Sequence, residues 1–172
     1  MTYPRRMRPS APSPDDALAL LHFAFREIVR EPDAILAARG LGRLHHRILY
    51  MCRRNEGLAV HDLLAILEIS KQALHAPLEQ LVRRRLVDKV RDPEDGRTRR
   101  LVLTARGRAL ERRLSEPQRR AFARAFAEVG AAGAASWATA MRELANGKSE
   151  ASLRGAAREQ HARLDSNQRP SA

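Results

Sequence analysis

"RRLVDKVRDPEDGRTRRLVLTARG", residues 84–107, is the stretch that decides the fold. Two short runs in it, "LVDKVR" at 86–91 and "LVLT" at 101–104, have extended rather than helical spacing, and "DPEDGRTRR" between them is made of turn formers and charges. That pattern predicts a β-hairpin with a charged tip. Thr104 then stands where it can cap the amides of a new helix. Just upstream the period is helical: Leu74, Leu78 and Leu81 share one face, and Ser70 is placed to cap that helix. Residues 60–68, with Leu63, Leu64 and Leu67, make another helix separated from it only by Ile69 and Ser70. So tight a corner predicts a helix-turn-helix, with the hairpin directly after it.

Outward from this unit the chain stays helical. Leu18, Leu21, His22, Phe25, Ile28 and Val29 recur from Asp15, taken as N-cap, to about Arg30, and Pro32 suits the first turn of a short second helix. Leu41, Leu44, Ile48, Leu49 and Cys52 mark a further helix that ends at "RNEG". After Thr104, the stripe Leu110, Leu114, Phe122, Phe126 and Val129 runs through Pro117, which predicts a kink there or a fresh start at Ser115. A Gly-Ala break leads to a last helix with Trp137, Met141, Leu144 and Ala145 on one face and Gly147 beyond its end. The expected organisation is a disordered arm (1–14), N-terminal helices (15–39), the helix-turn-helix with its hairpin (40–107), C-terminal helices (108–147) and a disordered tail (148–172). In the tail, "LDSNQRP" at 164–170 resembles the peptide obtained by reading through a transfer-RNA gene on the opposite strand; an ordinary polar tail and a tail docked along the dimer are the alternatives.

Composition agrees with a mostly helical protein. Of 172 residues, 44% are hydrophobic, yet the aromatics are only four Phe, two Tyr and one Trp, so the core must be built from Leu, Ile, Val and Ala. Thirty-two basic against twenty acidic residues give a net charge of +12, and half of that excess falls within 40–107. Such a balance points to a polyanionic partner, although an excess of Arg beside Ala is also what a GC-rich coding sequence yields. A single Cys excludes an intramolecular disulfide framework and a Cys-built zinc site, so a reducing cytoplasm is expected. No segment has the length and apolarity of a membrane span. No phosphate-binding Gly loop, dinucleotide fingerprint, nucleophile elbow or metal-ligand spacing is present, so neither catalysis, cofactor nor metal is expected.

Helix, helix-turn-helix and a two-stranded wing ending in "LVLTARG" resemble the MarR family of winged helix-turn-helix transcriptional regulators over about residues 17–146. The Asp95-Gly96-Arg97 element before Leu103, Thr104 and Gly107 carries most of the likeness. The resemblance implies a mostly α fold with a small two-stranded β-wing and terminal dimerisation helices. It also implies a homodimer on double-stranded DNA, a repressor released by a small aromatic or phenolic anion. An Arg at a hairpin tip can enter the narrow minor groove, with a nearby Asp holding its guanidinium, and Arg97 with Asp95 fits; Arg99 adds charge beside them.

At about 100° per residue, Leu74, Leu78 and Leu81 point inward, while Gln72, Ala76 and Glu79 face away, flanked by Lys71 and His75. Gln72 can pair with adenine, Ala76 can meet a thymine methyl, and Lys71 or His75 can meet a phosphate. Three positions depart from the family pattern. Pro77 sits inside the recognition helix and should bend it, Arg85 replaces the usual Gly before the wing, and Ala59 replaces a capping Ser or Thr. For the effector site that the resemblance implies, the lining candidates are His22, Arg26, His46 and Tyr50. Cys52, on an apolar face, is expected to be an inert core residue, and His45 and His46 to be one packed and one surface His. A winged helix used for protein interaction or nucleoid association, without sequence readout, is the alternative; a specificity ratio separates the two.

Overall fold

A computed structural model describes residues 11–92 and 98–145. Along them run α1 (Pro14–Ala37), α2 (Arg43–Arg54), β1 (Leu58–Ala59), α3 (Val60–Leu67), α4 (Lys71–Arg83), β2 (Val87–Arg91), β3 (Arg99–Leu103) and α5 (Ala105–Leu144). Residues 1–10 of the expected arm, the wing tip at 93–97 and the whole expected tail lie outside the described residues.

The helix-turn-helix forms as its apolar spacing requires. Leu63 and Leu67 of α3 and Leu74, Leu78 and Leu81 of α4 are buried in one cluster with Ile48, Leu49 and Cys52 of α2. Ser70 caps α4 by accepting a hydrogen bond from the Ala73 amide at 3.2 Å, whereas Ala59, before α3, makes no side-chain cap. Pro77 does not interrupt α4; Ala73, whose carbonyl loses a helical partner to the ring, is an exposed residue. The hairpin pairs as expected, with Val87 opposite Leu103 and Lys89 opposite Leu101. A short strand, β1, adds to it, placing Leu58 opposite Leu101, so the wing is anchored as the outer part of a three-stranded antiparallel sheet ordered β1-β3-β2.

The corner between α4 and the wing answers the question posed by Arg85. Its φ is +55°, so a left-handed conformation is adopted without glycine, costing roughly 1 kcal/mol. The turn closes the helix as a Schellman motif: the Leu86 amide donates to Leu81 O at 3.0 Å, and the Arg85 amide to Val82 O at 2.9 Å. Onto this corner sits the start of α5. Thr104 caps α5 through the Gly107 amide at 3.0 Å and donates its own hydroxyl to Arg85 O at 2.8 Å. A Cβ on Gly107 would lie 1.9 Å from Leu86 O, so the glycine of "LTARG" is what lets the helix cross the corner.

The terminal helices correct three expectations. Ser13, not Asp15, caps α1, in a capping box with Asp16 that Pro14 at the first helical position favours. Pro32 starts no second helix; it lies within α1, buried with Val29 and Leu36 against the rest of the domain. Pro117 leaves the torsions of α5 helical, so no kink falls there, while the expected Gly-Ala break does occur, at Gly130 (φ 70°, ψ 179°). Beyond that break α5 doubles back, setting Trp137 with ring centroids 5.3 Å from Phe122 and 5.2 Å from Phe126. Gly133 allows the close return, since a Cβ there would be 2.6 Å from the Val129 Cβ.

Candidate nucleic-acid interface and adjoining cavities

Lys71, Gln72, His75 and Ala76 are all exposed on one arc of the first two turns of α4. Glu79 continues that arc on the outer face, as its angle predicts, but it is only partly exposed and is not free. Its carboxylate takes a hydrogen bond and ion pair from Lys89 on β2, and that contact holds its pKa below the usual carboxylate range. The pair straps the wing to α4 and limits the open face to the stretch from Lys71 to Ala76.

On the wing, Arg91 and Arg99 stand directly opposite each other in the β2–β3 register. Both are exposed, and neither has a carboxylate partner among the described residues. Like charges directly opposite each other destabilise a hairpin unless an opposite charge meets them. Sequence reasoning selected Arg99 and missed Arg91, although counting back across the turn would have found it. Asp92 was missed too. It is buried, bonded to Arg100 Nε at 2.5 Å, while Arg100 also reaches Gly57 O at 3.3 Å, so this ion pair ties the tip end of the hairpin to the turn before β1. Asp95 and Arg97 lie outside the described residues, and their pairing stays an expectation.

Behind the reading unit, both histidines of α2 are half-buried, so the expected surface His is absent. The Gly42 amide donates to His45 Nδ1 at 3.0 Å; Nε2 therefore carries the proton and donates to Gln80 Oε1 at 2.7 Å. Gln80 in turn donates to Gly40 O at 3.1 Å, tying α4 to the end of α1. His46 Nε2 meets Ser115 Oγ at 3.1 Å, and that hydroxyl donates to Glu111 Oε1 at 2.7 Å. Glu111 is fully buried in α5, with Arg119 3.0 Å from Oε1 and Arg53 3.7 Å from Oε2.

Burial pushes the His46 pKa below its ordinary 6.5, outweighing the attraction of Glu111. The unfolded chain therefore takes up this proton before the folded one does. Stability from this group is whole above pH 6.5 and declines as the pH falls. Urea unfolding at about pH 7.5 and about pH 5.5 is expected to show a smaller acid loss in His46→Gln than in the wild type. Equal losses in the two proteins would refute the assignment.

Two cavities adjoin this network. One of about 210 Å³ is lined by Phe25, Val29, Asp33, His46, Arg47, Tyr50 and Gln118, with Arg43 held to Asp33 at its edge. The other, about 430 Å³, is lined by Tyr50, Ser115, Gln118, Arg119, Phe122 and Phe126. Of the expected effector residues, His46 and Tyr50 come together here. His22 and Arg26 do not; they are exposed on α1 and line neither cavity. Arg47, one helical turn from Arg43 and without a carboxylate partner among the described residues, was not foreseen. Cys52 is buried in the core, its thiol pushed up to about 12 by desolvation, so it stays protonated at neutral pH. Among the described residues, no group of three His, Cys, Asp or Glu could hold a metal, and no helix is long and apolar enough to cross a membrane.

A helix-turn-helix whose second helix opens one polar face, strapped to a basic hairpin, defines a winged helix-turn-helix domain. Residues 39–98 match the MarR family. The HTH-type transcriptional regulator PetP of Rhodobacter capsulatus is 38% identical over 110 residues, which cover 64% of this chain and 66% of PetP, just under two thirds of its length. The PcaV transcriptional regulator of Streptomyces coelicolor, in complex with its natural ligand, superposes with a TM-score of 0.58 at 23% identity, covering 83% of this chain and 98% of PcaV. The Mycobacterium tuberculosis MarR family protein Rv2887, in complex with salicylic acid, does so with a TM-score of 0.51 at 27% identity, covering 78% and 98%. The winged helix-turn-helix at residues 39–98 is thus of the MarR type.

Proposed function

We propose that the protein is a cytoplasmic, dimeric, sequence-specific DNA-binding repressor. On this reading 40–107 reads the DNA, while 15–39 and 108–147 pair two protomers. The observation that carries it is the open face of Lys71, Gln72, His75 and Ala76 on α4 beside the Arg91–Arg99 pair of the wing, which has no carboxylate partner among the described residues. A polar helix face of that width fits the major groove, and the arginines suit the adjoining backbone and minor groove. Release by a small aromatic anion is supported by the cavities around Tyr50. Phe25, Phe122 and Phe126 offer ring surfaces, and the Arg47 guanidinium offers a partner for a carboxylate. Salicylic acid in Rv2887 is an anion of this kind.

The test is selection from random duplexes followed by affinities for the selected and random sequences at one salt concentration. The expected site is a pseudo-palindrome with half-sites about 10–10.5 base pairs apart, bound about 10³-fold or more tighter than random duplex. Gln72→Ala is expected to reduce that ratio by roughly tenfold to a hundredfold with little change on random DNA. Arg97→Ala is expected to weaken both, leaving the fold intact. A ratio near unity would instead make the protein a non-specific nucleoid or interaction module.

A further inference from the structure

Away from the reading face, a cleft of about 700 Å³ opens where the ends of α1 and α4 meet the start of α5. Six arginines line it, namely Arg39, Arg83, Arg84, Arg85, Arg106 and Arg113, with no acidic residue among the lining. We propose that this cleft binds a small molecule carrying two or more linked phosphates. None of the six has a carboxylate partner among the described residues. Arg84 spends one N–H on Arg39 O at 2.5 Å and Arg39 one on Ile35 O at 3.0 Å, which fixes both side chains in place and leaves their other donors available.

Helix electrostatics account for only some of this cluster. Arg83 ends α4 and Arg84 and Arg85 follow it, at the C-terminal end where cations are favoured. Arg106, in the first turn of α5, is at the end that repels cations, and no acidic residue offsets it there. Its presence beside five other guanidiniums needs an anion of several charges. Planar guanidinium forks match phosphate oxygens bidentately, and a volume of this size lies within the roughly 300–1,000 Å³ of small-molecule sites. A monocarboxylate would leave most of the charge unmet. The floor is apolar, formed by Leu41, Leu86 and Leu110, and can take the face of a ring. Duplex DNA is a poorer fit. Arg83 is eleven residues along α4 from Gln72, a rise of roughly 16 Å away from the proposed reading end. An occupant would bridge α1 and α5 to the corner that carries α4 and the wing, so its binding would bear on how the reading unit is held.

Calorimetric titration of the full chain with inorganic pyrophosphate and with ADP, at ionic strength matched with sodium chloride, tests this. The expected result is saturable binding of one ligand per chain. Tighter binding of ADP assigns the floor to a base and the site to nucleotides, while equal binding assigns it to inorganic pyrophosphate or its polymers. The double variant Arg106→Gln with Arg113→Gln is expected to weaken binding about tenfold or more. Both side chains are exposed, so its melting temperature and its affinity for duplex DNA are expected to match the wild type. Heats no larger than those from sodium chloride, or wild-type affinity in the double variant, would overturn the proposal. So would a loss of duplex affinity equal to the loss of phosphate affinity, which would make the cleft part of the DNA track.

Discussion

Gly107→Ala is expected to cost about 3 kcal/mol of folding stability, far beyond the fraction of a kcal/mol usual for an alanine in a helix. The added methyl would sit 1.9 Å from the Leu86 carbonyl oxygen and 2.9 Å from its carbon. Both are backbone atoms, so no side chain can rotate away to make room. Relief requires the first turn of α5 to lift from the corner, and that movement stretches several bonds at once. The Thr104 amide donates to Leu86 O at 3.2 Å, the Thr104 hydroxyl to Arg85 O at 2.8 Å, and the Leu86 amide closes α4 onto Leu81 O at 3.0 Å. Chemical denaturation measures the cost, with Ala109→Gly, an exposed change in the same helix expected to cost only about 1 kcal/mol, as the comparison. A Gly107→Ala loss no greater than that of the control would show that the corner relaxes freely and that the close approach is unimportant.

Where a residue acts through its neighbours in sequence, its role could be read directly. Leu74, Leu78 and Leu81 are buried because their spacing puts them on one face, and Ser70 and Thr104 cap the helices they precede. Prolines misled because their local rule was overridden. Pro32 is buried within α1 and Pro117 half-buried within α5, and tertiary packing keeps both helices running where the lost backbone bond argues for a stop. β1 is two residues long and shows no period; it exists because β3 supplies its partner. The exposed face of α4, Arg99 on the wing and the neighbours His46 and Tyr50 were legible, whereas contacts that only the fold makes were not. Glu79 faces outward by angle, and only the fold brings Lys89 to it from ten residues away. Glu111 follows the apolar stripe closely enough to be buried, yet its partners Ser115, Arg119 and Arg53 come from two helices. The arginine cleft was the least visible feature, since three helix ends far apart in sequence build it.

The second large effect is expected from Leu18→Glu combined with Leu21→Glu, which should turn the protein into a monomer and lower operator affinity by roughly 10²- to 10⁴-fold, the avidity of two linked half-sites. A single stripe runs along α1 through Leu18, Leu21, Phe25, Val29, Pro32 and Leu36. Its own domain covers only the last three; Leu18 is 67% exposed, Leu21 52% and Phe25 47%. Trp137, Val129 and Leu144 on α5 are uncovered as well. Apolar faces of this extent at both ends of the described chain are normal where a second copy covers them and unusual on a monomer. Because Leu18 and Leu21 contribute nothing to the monomer's core, the double variant should fold. Helical circular dichroism should survive in it, as should the contact of Trp137 with Phe122 and Phe126. Sedimentation at micromolar concentration reads the assembly state, and titration of the selected operator reads its consequence. A variant that remains dimeric would place the interface elsewhere, and a monomer that binds the full operator as tightly as the wild type would show that each reading unit works alone.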